Sequence, residues 1–358
     1  MARARSHKLS EFSAIAEIQR IFDGHASRRV PALPSASRSG SRERATIEVG
    51  IGDDAAVLRS RDRLVWTIDS AVEHVHFERA WLTLEDLGWR SFQAAASDVS
   101  AMGGKPWCAL SSVIAPKNFS ERDLKSMARG QARAARSLGC RVIGGNLARG
   151  AELSITTALL GIADRPLLRS GAKAGDELWL CGEVGLAAAG LHLLQRGTAA
   201  KTSAARRALG AFRRPTAELA FGLALAKRAH AAIDISDGLC GDAAHIAEAS
   251  RAKIIIDTLQ LERALSPALR ALAATLGVTP LELALYGGED YALLATGPAR
   301  SRPRGATVIG RVVVGAGVWL SATEVSPGAA RRPSAEKLVR AGAGFEHWGG
   351  REPRRVRR

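Results

Sequence analysis

The sequence is short of the features that mark membrane, secreted or metal-thiolate proteins. Its longer uncharged apolar stretches, such as Val184 to Gln195, stop well below the roughly 18 to 20 residues a membrane helix needs. The opening MARARSHKLSEF is positively charged but lacks the apolar core of about 7 to 15 residues that a secretory signal requires. A soluble, cytoplasmic protein without a membrane partner is therefore the expectation. Four cysteines (Cys108, Cys140, Cys181, Cys240) lie far apart with no Cys-x-x-Cys pair, so they read as reduced core thiols rather than zinc or redox ligands. Only 5% of residues are aromatic. Neither a Gly-x-x-x-x-Gly-Lys-[Ser/Thr] loop nor a full dinucleotide fingerprint is present, since Gly182-x-x-Gly185 stands alone, and this removes the two commonest routes to a nucleotide.

What is present is an ordinary globular composition. The 358 residues are 46% hydrophobic and 24% charged, a length and texture that suit about two domains of roughly 150 residues. The net charge of +16 points first to nucleic acid, but its distribution does not. Residues 1–10 carry +3, residues 24–44 carry +4 and residues 349–358 carry +4, so eleven of the sixteen charges sit in two basic tails and a Ser/Pro/Gly/Arg-rich insertion. With aromatics so scarce, no specific nucleic-acid face is expected.

Between the tails, β-type runs alternate with helical ones. The segment EFSAIAEIQRIF (11–22) has helical spacing, and TIEVGI, RLVWTI, WCALSSVI, RVIG and LSITTALLGIA read as strands around helices near 85–102 and 120–138. A basic Pro/Gly connector, DRPLLRSGAKAGD, ends a first domain taken as 11–165, with 24–44 as an insertion. The second domain, 166–348, shows strands ELWLCG, AAIDIS, KIIIDT, YALLAT, ATVIG and VVVGAGVWL, and helices near 185–195, 203–229, 238–251 and 266–276. The fold class is α/β (α+β).

The chemistry is carried by acidic residues beside glycine at the ends of β-type runs: Asp53-Asp54, Asp69, Asp98, Asp234-Ile-Ser-Asp237 and Glu289-Asp290. One such pair is an ordinary turn, but several carboxylates converging from strand ends repel one another unless cations lie between them. Magnesium bridging polyphosphate oxygens is the natural filler. Asp237 also suits a helix N-cap, and His74 and His76, two apart, would share one side of a strand; a metal pair there would offer only one or two ligands, so they read as substrate contacts or solvated surface groups.

In order, EFSAIAEI, IGDDAAVL, TIDSAVEHVHF, AASDVSAMGGKP, VIGGN, LLRSGAKAGD, DISDGL, GGEDYALL and GFEHW resemble the thiamine-monophosphate kinase family. Its superfamily includes aminoimidazole ribonucleotide synthetase, selenophosphate synthetase and the hydrogenase maturation protein that dehydrates carbamoyl groups. The resemblance spans nearly the whole chain. It implies a two-domain fold of that superfamily, an N-terminal mixed sheet with helices followed by a C-terminal α/β domain, and a homodimer joined through the first sheet. It also implies ATP-dependent, direct in-line phosphorylation of thiamine monophosphate, with several Mg2+ ions.

Residue by residue, the resemblance implies metal ligation by Asp53, Asp69, Asp98, Asn146, Asp234 and Asp237, with Thr67 assisting. It implies ATP contacts at Thr67, Gly145, Asn146, Arg169 and Ser236, and thiamine phosphate contacts at His76, Glu289 and Trp348. The family has Gly-Gly-Asp-Thr where this chain has Gly144-Gly145-Asn146-Leu147, so one expected carboxylate is an amide, and weaker or shifted metal binding follows. Ile68 likewise replaces a small polar residue. No general base is required, because a phosphate monoester with second pKa about 6 is already ionised at pH 7. Another ATP-using enzyme of the superfamily, or an inactive paralogue, is the alternative.

Overall fold

Residues 20–22, 45–49, 57–322 and 337–341 are described by the structure, a computed structural model of the chain. Contacts divide it into two compact units. The first holds the described residues up to Val99 together with Lys105–Asp164; the second holds Ser100–Gly104 and the described residues from Arg165 onward.

In the first unit, strands β1 (Ala45–Val49) and β2 (Val57–Ser60) pair antiparallel. A separate four-stranded sheet contains β3 (Leu64–Val72), β4 (Lys105–Ala115), β5 (Arg141–Arg149) and β6 (Ser154–Ile162) in the order β3-β6-β4-β5. Only β4 and β5 run parallel, so their connection needs a crossover, and helix α2 (Glu121–Ser137) supplies it. Ser120 starts that helix through a capping box with Asp123. Helix α1 (Leu84–Ala101) precedes β4, and from Arg90 to Ser100 every residue is buried except Asp98. Alternation along the strands sends Val65, Ile155, Thr157, Leu159 and Val113 to the buried face. Both helices lie on that face, as hydrogen bonds from Thr67 to Asp98 of α1 and from Ser111 to Gln131 of α2 show.

The second unit is built on seven strands: β7 (Glu177–Cys181), β8 (Ala231–Asp234), β9 (Lys253–Asp257), β10 (Leu293–Gly297), β11 (Thr307–Val313), β12 (Gly317–Ala322) and β13 (Lys337–Arg340). Their order is β13-β12-β9-β11-β7-β10-β8, with only β9 and β12 parallel. ELWLC and LLATG are nearly continuous apolar runs because both faces of this sheet are buried. Leu178, Leu180, Ile233, Ile254 and Leu294 enter the larger core, while Trp179, Cys181, Leu293 and Leu225 form the other. The helices are α3 (Leu186–Gln195), α4 (Ser203–Arg213), α5 (Leu219–Leu225), α6 (Leu239–Ser250), α7 (Thr258–Ala264), α8 (Pro267–Leu276) and α9 (Pro280–Tyr286).

The α/β class expected from the sequence is the observed one, with local differences. The helical run near 203–229 is two helices, broken around Pro215, where the ring removes a backbone donor. VVVGAGVWL is the end of one strand and the start of the next, because Gly315 in the turn and Gly317 at the start of β12 take positive φ. Helices α7 and α9 are additions to the sequence reading; each starts from a side-chain cap, Asp257 and Thr279 respectively. Of the expected helix 11–22 only residues 20–22 are described, and they are helical; the basic tails, residues 24–44 and GAGFEHW lie outside the described residues. All four cysteines are buried free thiols, and burial pushes Cys108, Cys181 and Cys240 up to about 12. No single described helix is long and apolar enough to cross a membrane.

Candidate active site

In the first unit, β3 presents Thr67 and Asp69 on the helix-covered face, and α1 presents Asp98 toward it. The Thr67 hydroxyl donates to Asp98 Oδ2 at 2.5 Å, so its oxygen orients that carboxylate. Strand register sets Asp69, Thr157, Ser111 and Gly145 in one row across all four strands. A Cβ at Gly145 would meet the Ser111 carbonyl oxygen at 1.9 Å, so only glycine fits there. Asn146 stands in the next row, Ser70-Thr156-Ser112-Asn146, on the opposite face, and is exposed. The fold therefore brings Asp69, Thr67, Asp98 and Gly145 to one face and leaves Asn146 on the other.

His74 and His76 do not share a strand. They lie in a turn after β3, where His74 has a left-handed φ of 67° and pairs with Glu78. His76 accepts the Val72 amide through Nδ1 at 3.1 Å, which places the proton of the neutral ring on Nε2. The expectation that the two histidines share one side of a strand is thus corrected: residues 74–76 form a turn bracketed by a parallel bridge between Glu73 and Phe77, and the two rings have separate partners.

In the second unit, Asp234 ends β8, where it is buried, and Ser236 and Asp237 follow in the loop to α6. This loop packs against the Gly287–Tyr291 segment. Glu289 donates its amide to the Ser236 carbonyl at 2.8 Å and Tyr291 donates to the Ile235 carbonyl at 2.9 Å. A Cβ at Gly288 would lie 2.4 Å from the Ser236 oxygen, which explains the glycine. Glu289 and Tyr291 both take positive φ, 65° and 52°, and the Tyr291 hydroxyl donates to Glu289 Oε2 at 3.1 Å. Side chains so constrained cluster at functional sites. Arg169 is exposed, and its carbonyl accepts from Ser250 Oγ. Asp53 and Trp348 lie outside the described residues.

Residues 52–163 match the family model "AIR synthase related protein, N-terminal domain". A thiamine-monophosphate kinase of Aquifex aeolicus (strain VF5) is 36% identical over 280 residues, 77% of this chain and 90% of that protein. The chain belongs to the thiamine-monophosphate kinase family. A thiamine-monophosphate kinase structure from Stenotrophomonas maltophilia K279a matches with TM-score 0.73 at 31% identity, covering 87% of this chain and 96% of that one. The structure of AaThiL complexed with AMPPCP and TMP matches with TM-score 0.71 at 30% identity, covering 97% and 100%.

Two residues of this thiamine-monophosphate kinase family member, Asp242 and His245, were not singled out in the sequence, and Asp290 was named there without a separate role. Asp242, in the first turn of α6, accepts the Ser236 and Asp237 amides. Burial, and then Asp234 and Asp237 nearby, push its pKa up to about 8 against the pull of those two donors. Oxygens of Asp237 and Asp242 and a ring nitrogen of His245 lie within 4.8 Å of one another. The signal was available, since Asp242 and His245 are three apart on one helix and share a face. Asp290, beside Glu289, accepts the Gly185 amide at 2.7 Å and the Ala187 amide at 3.2 Å, so it caps α3, which Gly185 cannot cap itself. Burial pushes Asp290 up to about 7.

Proposed function

We propose that the chain transfers the γ-phosphoryl group of ATP to the phosphate of thiamine monophosphate, giving thiamine diphosphate and ADP. The observation that carries this reading is 36% identity to a thiamine-monophosphate kinase over 77% of the chain. An acceptor-phosphate oxygen attacks the γ-phosphorus directly as the bond to the β–γ bridging oxygen breaks. The acceptor is already ionised near neutral pH, so the protein's task is positioning and charge neutralisation.

Magnesium fits the donor set. Burial first, and then the neighbouring Asp234 and Asp237, hold Asp242 protonated to about pH 8, and a hard dication among these oxygens relieves the like-charge part of that. Asp53, Asp69, Asp98, Asp234 and Asp237 are the assigned ligands. When bound, Mg2+ supplies charge neutralisation on the polyphosphate oxygens. Because the Thr67 hydroxyl is engaged with Asp98, Thr67 acts by orienting that carboxylate and through its backbone. Gly145, Arg169 and Ser236 are assigned to ATP. Asn146 contacts metal or nucleotide through its side-chain oxygen, from the face opposite Asp69. His76, Glu289 and Trp348 are assigned to thiamine monophosphate, with the His76 Nε2–H suited to a phosphate oxygen.

The acting form is a homodimer. Leu64, Trp66 and Ile68 of β3 and Leu110 and Ile114 of β4 lie on the sheet face away from α1 and α2, and Trp66 is 73% exposed. An apolar sheet face of this kind suits burial against a second copy of itself about a twofold axis. The deciding assay follows ADP and thiamine diphosphate in steady state with purified protein, ATP, thiamine monophosphate and excess Mg2+. Saturable formation of both products is the expected result; folded protein that makes no thiamine diphosphate above background overturns the reading.

A further inference from the structure

The loop carrying Asp234, Ser236 and Asp237 enters α6 without a conventional cap. Gly238, at the N-cap, has φ 106° and no side chain to accept the first amides of the turn. Inward-pointing amides at such a junction need an acceptor. Asp242 is that acceptor: its single oxygen Oδ2 takes the Ser236 amide at 3.0 Å and the Asp237 amide at 3.1 Å. Asp242 is only 2% exposed, and its own amide donates back to the Gly238 carbonyl at 3.0 Å. From the other direction the Glu289 amide holds the Ser236 carbonyl. The loop is pinned on both sides, and the side-chain half of the clamp is one carboxyl oxygen.

We propose that Asp242 is a positioning residue for phosphoryl transfer. It fixes the backbone of Ser236 and Asp237 from within α6, and so sets the aim of the Asp237 carboxylate and the Ser236 side chain at the metal–nucleotide complex. This rests on the kinase reading above. It gives Asp242 a task different from that of Asp237, although their oxygens lie within 4.8 Å. Holding two amides requires an oxygen acceptor, which an asparagine also has, whereas ligating a dication benefits from the charge.

The test compares Asp242→Asn and Asp242→Ala for kcat, KM, Mg2+ affinity by calorimetry, and hydrogen exchange at the Ser236 and Asp237 amides. Asparagine keeps one oxygen for both donors, so kcat falls less than about fivefold and both amides stay protected. Alanine leaves both amides without their acceptor, so they exchange fast, and kcat falls about 100-fold while KM for thiamine monophosphate stays within about twofold. A kcat loss in Asp242→Asn as large as that expected for alanine, with the amides still protected, overturns the proposal because charge would then be what matters. That outcome needs only the asparagine variant, should alanine fail to fold. Full kcat in folded Asp242→Ala overturns it as well. A wild-type protein that makes no thiamine diphosphate refutes the kinase reading instead, and the exchange and calorimetry arms then still decide whether Asp242 orders the loop for metal.

Discussion

At the residue scale, burial is the governing effect, with crowding of like charges second. Asp242 stays protonated to about pH 8 in the fold, against 3.8 for the free group. A carboxyl whose pKa is raised on folding stabilises the fold below its unfolded pKa, and that contribution is lost as pH climbs toward the folded value. Mg2+ at the proposed ligands Asp234 and Asp237 would favour the ionised form, so its binding would release a proton. Apparent Mg2+ affinity should therefore rise with pH between 6 and 8, by at most about tenfold per unit for one proton. Calorimetric titrations at three pH values check this; affinity flat across the range would contradict it. Thr67→Val keeps the shape of the side chain and removes the donor to Asp98. It should raise the Mg2+ concentration for half-maximal activity by about tenfold, the equivalent of one charge-assisted hydrogen bond of roughly 1.5 kcal/mol. A Mg2+ dependence identical to wild type would show that the hydroxyl does not orient Asp98.

At the scale of elements, two adjacent acids show how context divides labour. Glu289 is held in left-handed backbone against the Asp234–Asp237 loop, whereas Asp290 turns away and caps α3. Asp290→Ala should cost about 1 to 2 kcal/mol of stability, as the loss of a helix cap does. Urea unfolding measures it, with KM for thiamine monophosphate changing little. Because folding raises the Asp290 pKa to about 7, the wild type loses this carboxyl's contribution as pH rises from about 4 to about 7. The alanine variant lacks that slope, so its deficit is larger at pH 5 than at pH 8. A deficit that grows with pH would reverse the sign assigned to burial.

At the scale of the whole molecule, charge and apolar surface have separate locations. The three most basic segments all lie outside the described residues. The sheet of the first unit instead offers an apolar face containing Trp66, Ile68 and Leu64. Trp66→Glu should convert a dimer into a monomer in sedimentation velocity while leaving the thermal transition of the fold within a few degrees, since the side chain is on the surface. A variant that sediments as wild type would show that this face does not hold the copies together.

Much of the fold was legible in the chain itself. Alternation in LSITTALLGI reports a sheet buried on one face, and the continuous apolar ELWLC reports one buried on two. The acidic clusters beside glycine were equally visible, because turns and close backbone approach demand those residue types. Short helices such as α7 and α9 were not, since seven residues give too little periodicity to stand apart from a strand end or a loop. Nor could spacing say that Asn146 faces away from Asp69, that His74 and His76 lie in a turn, or that Asp242, rather than Asp237 as an N-cap, supports the loop into α6. Those are matters of register, turn geometry and hydrogen bonds between groups brought together by folding. The sequence by itself determined the element types and the chemistry on offer; tertiary structure decided which face each carboxylate serves and which of them hold the others in place.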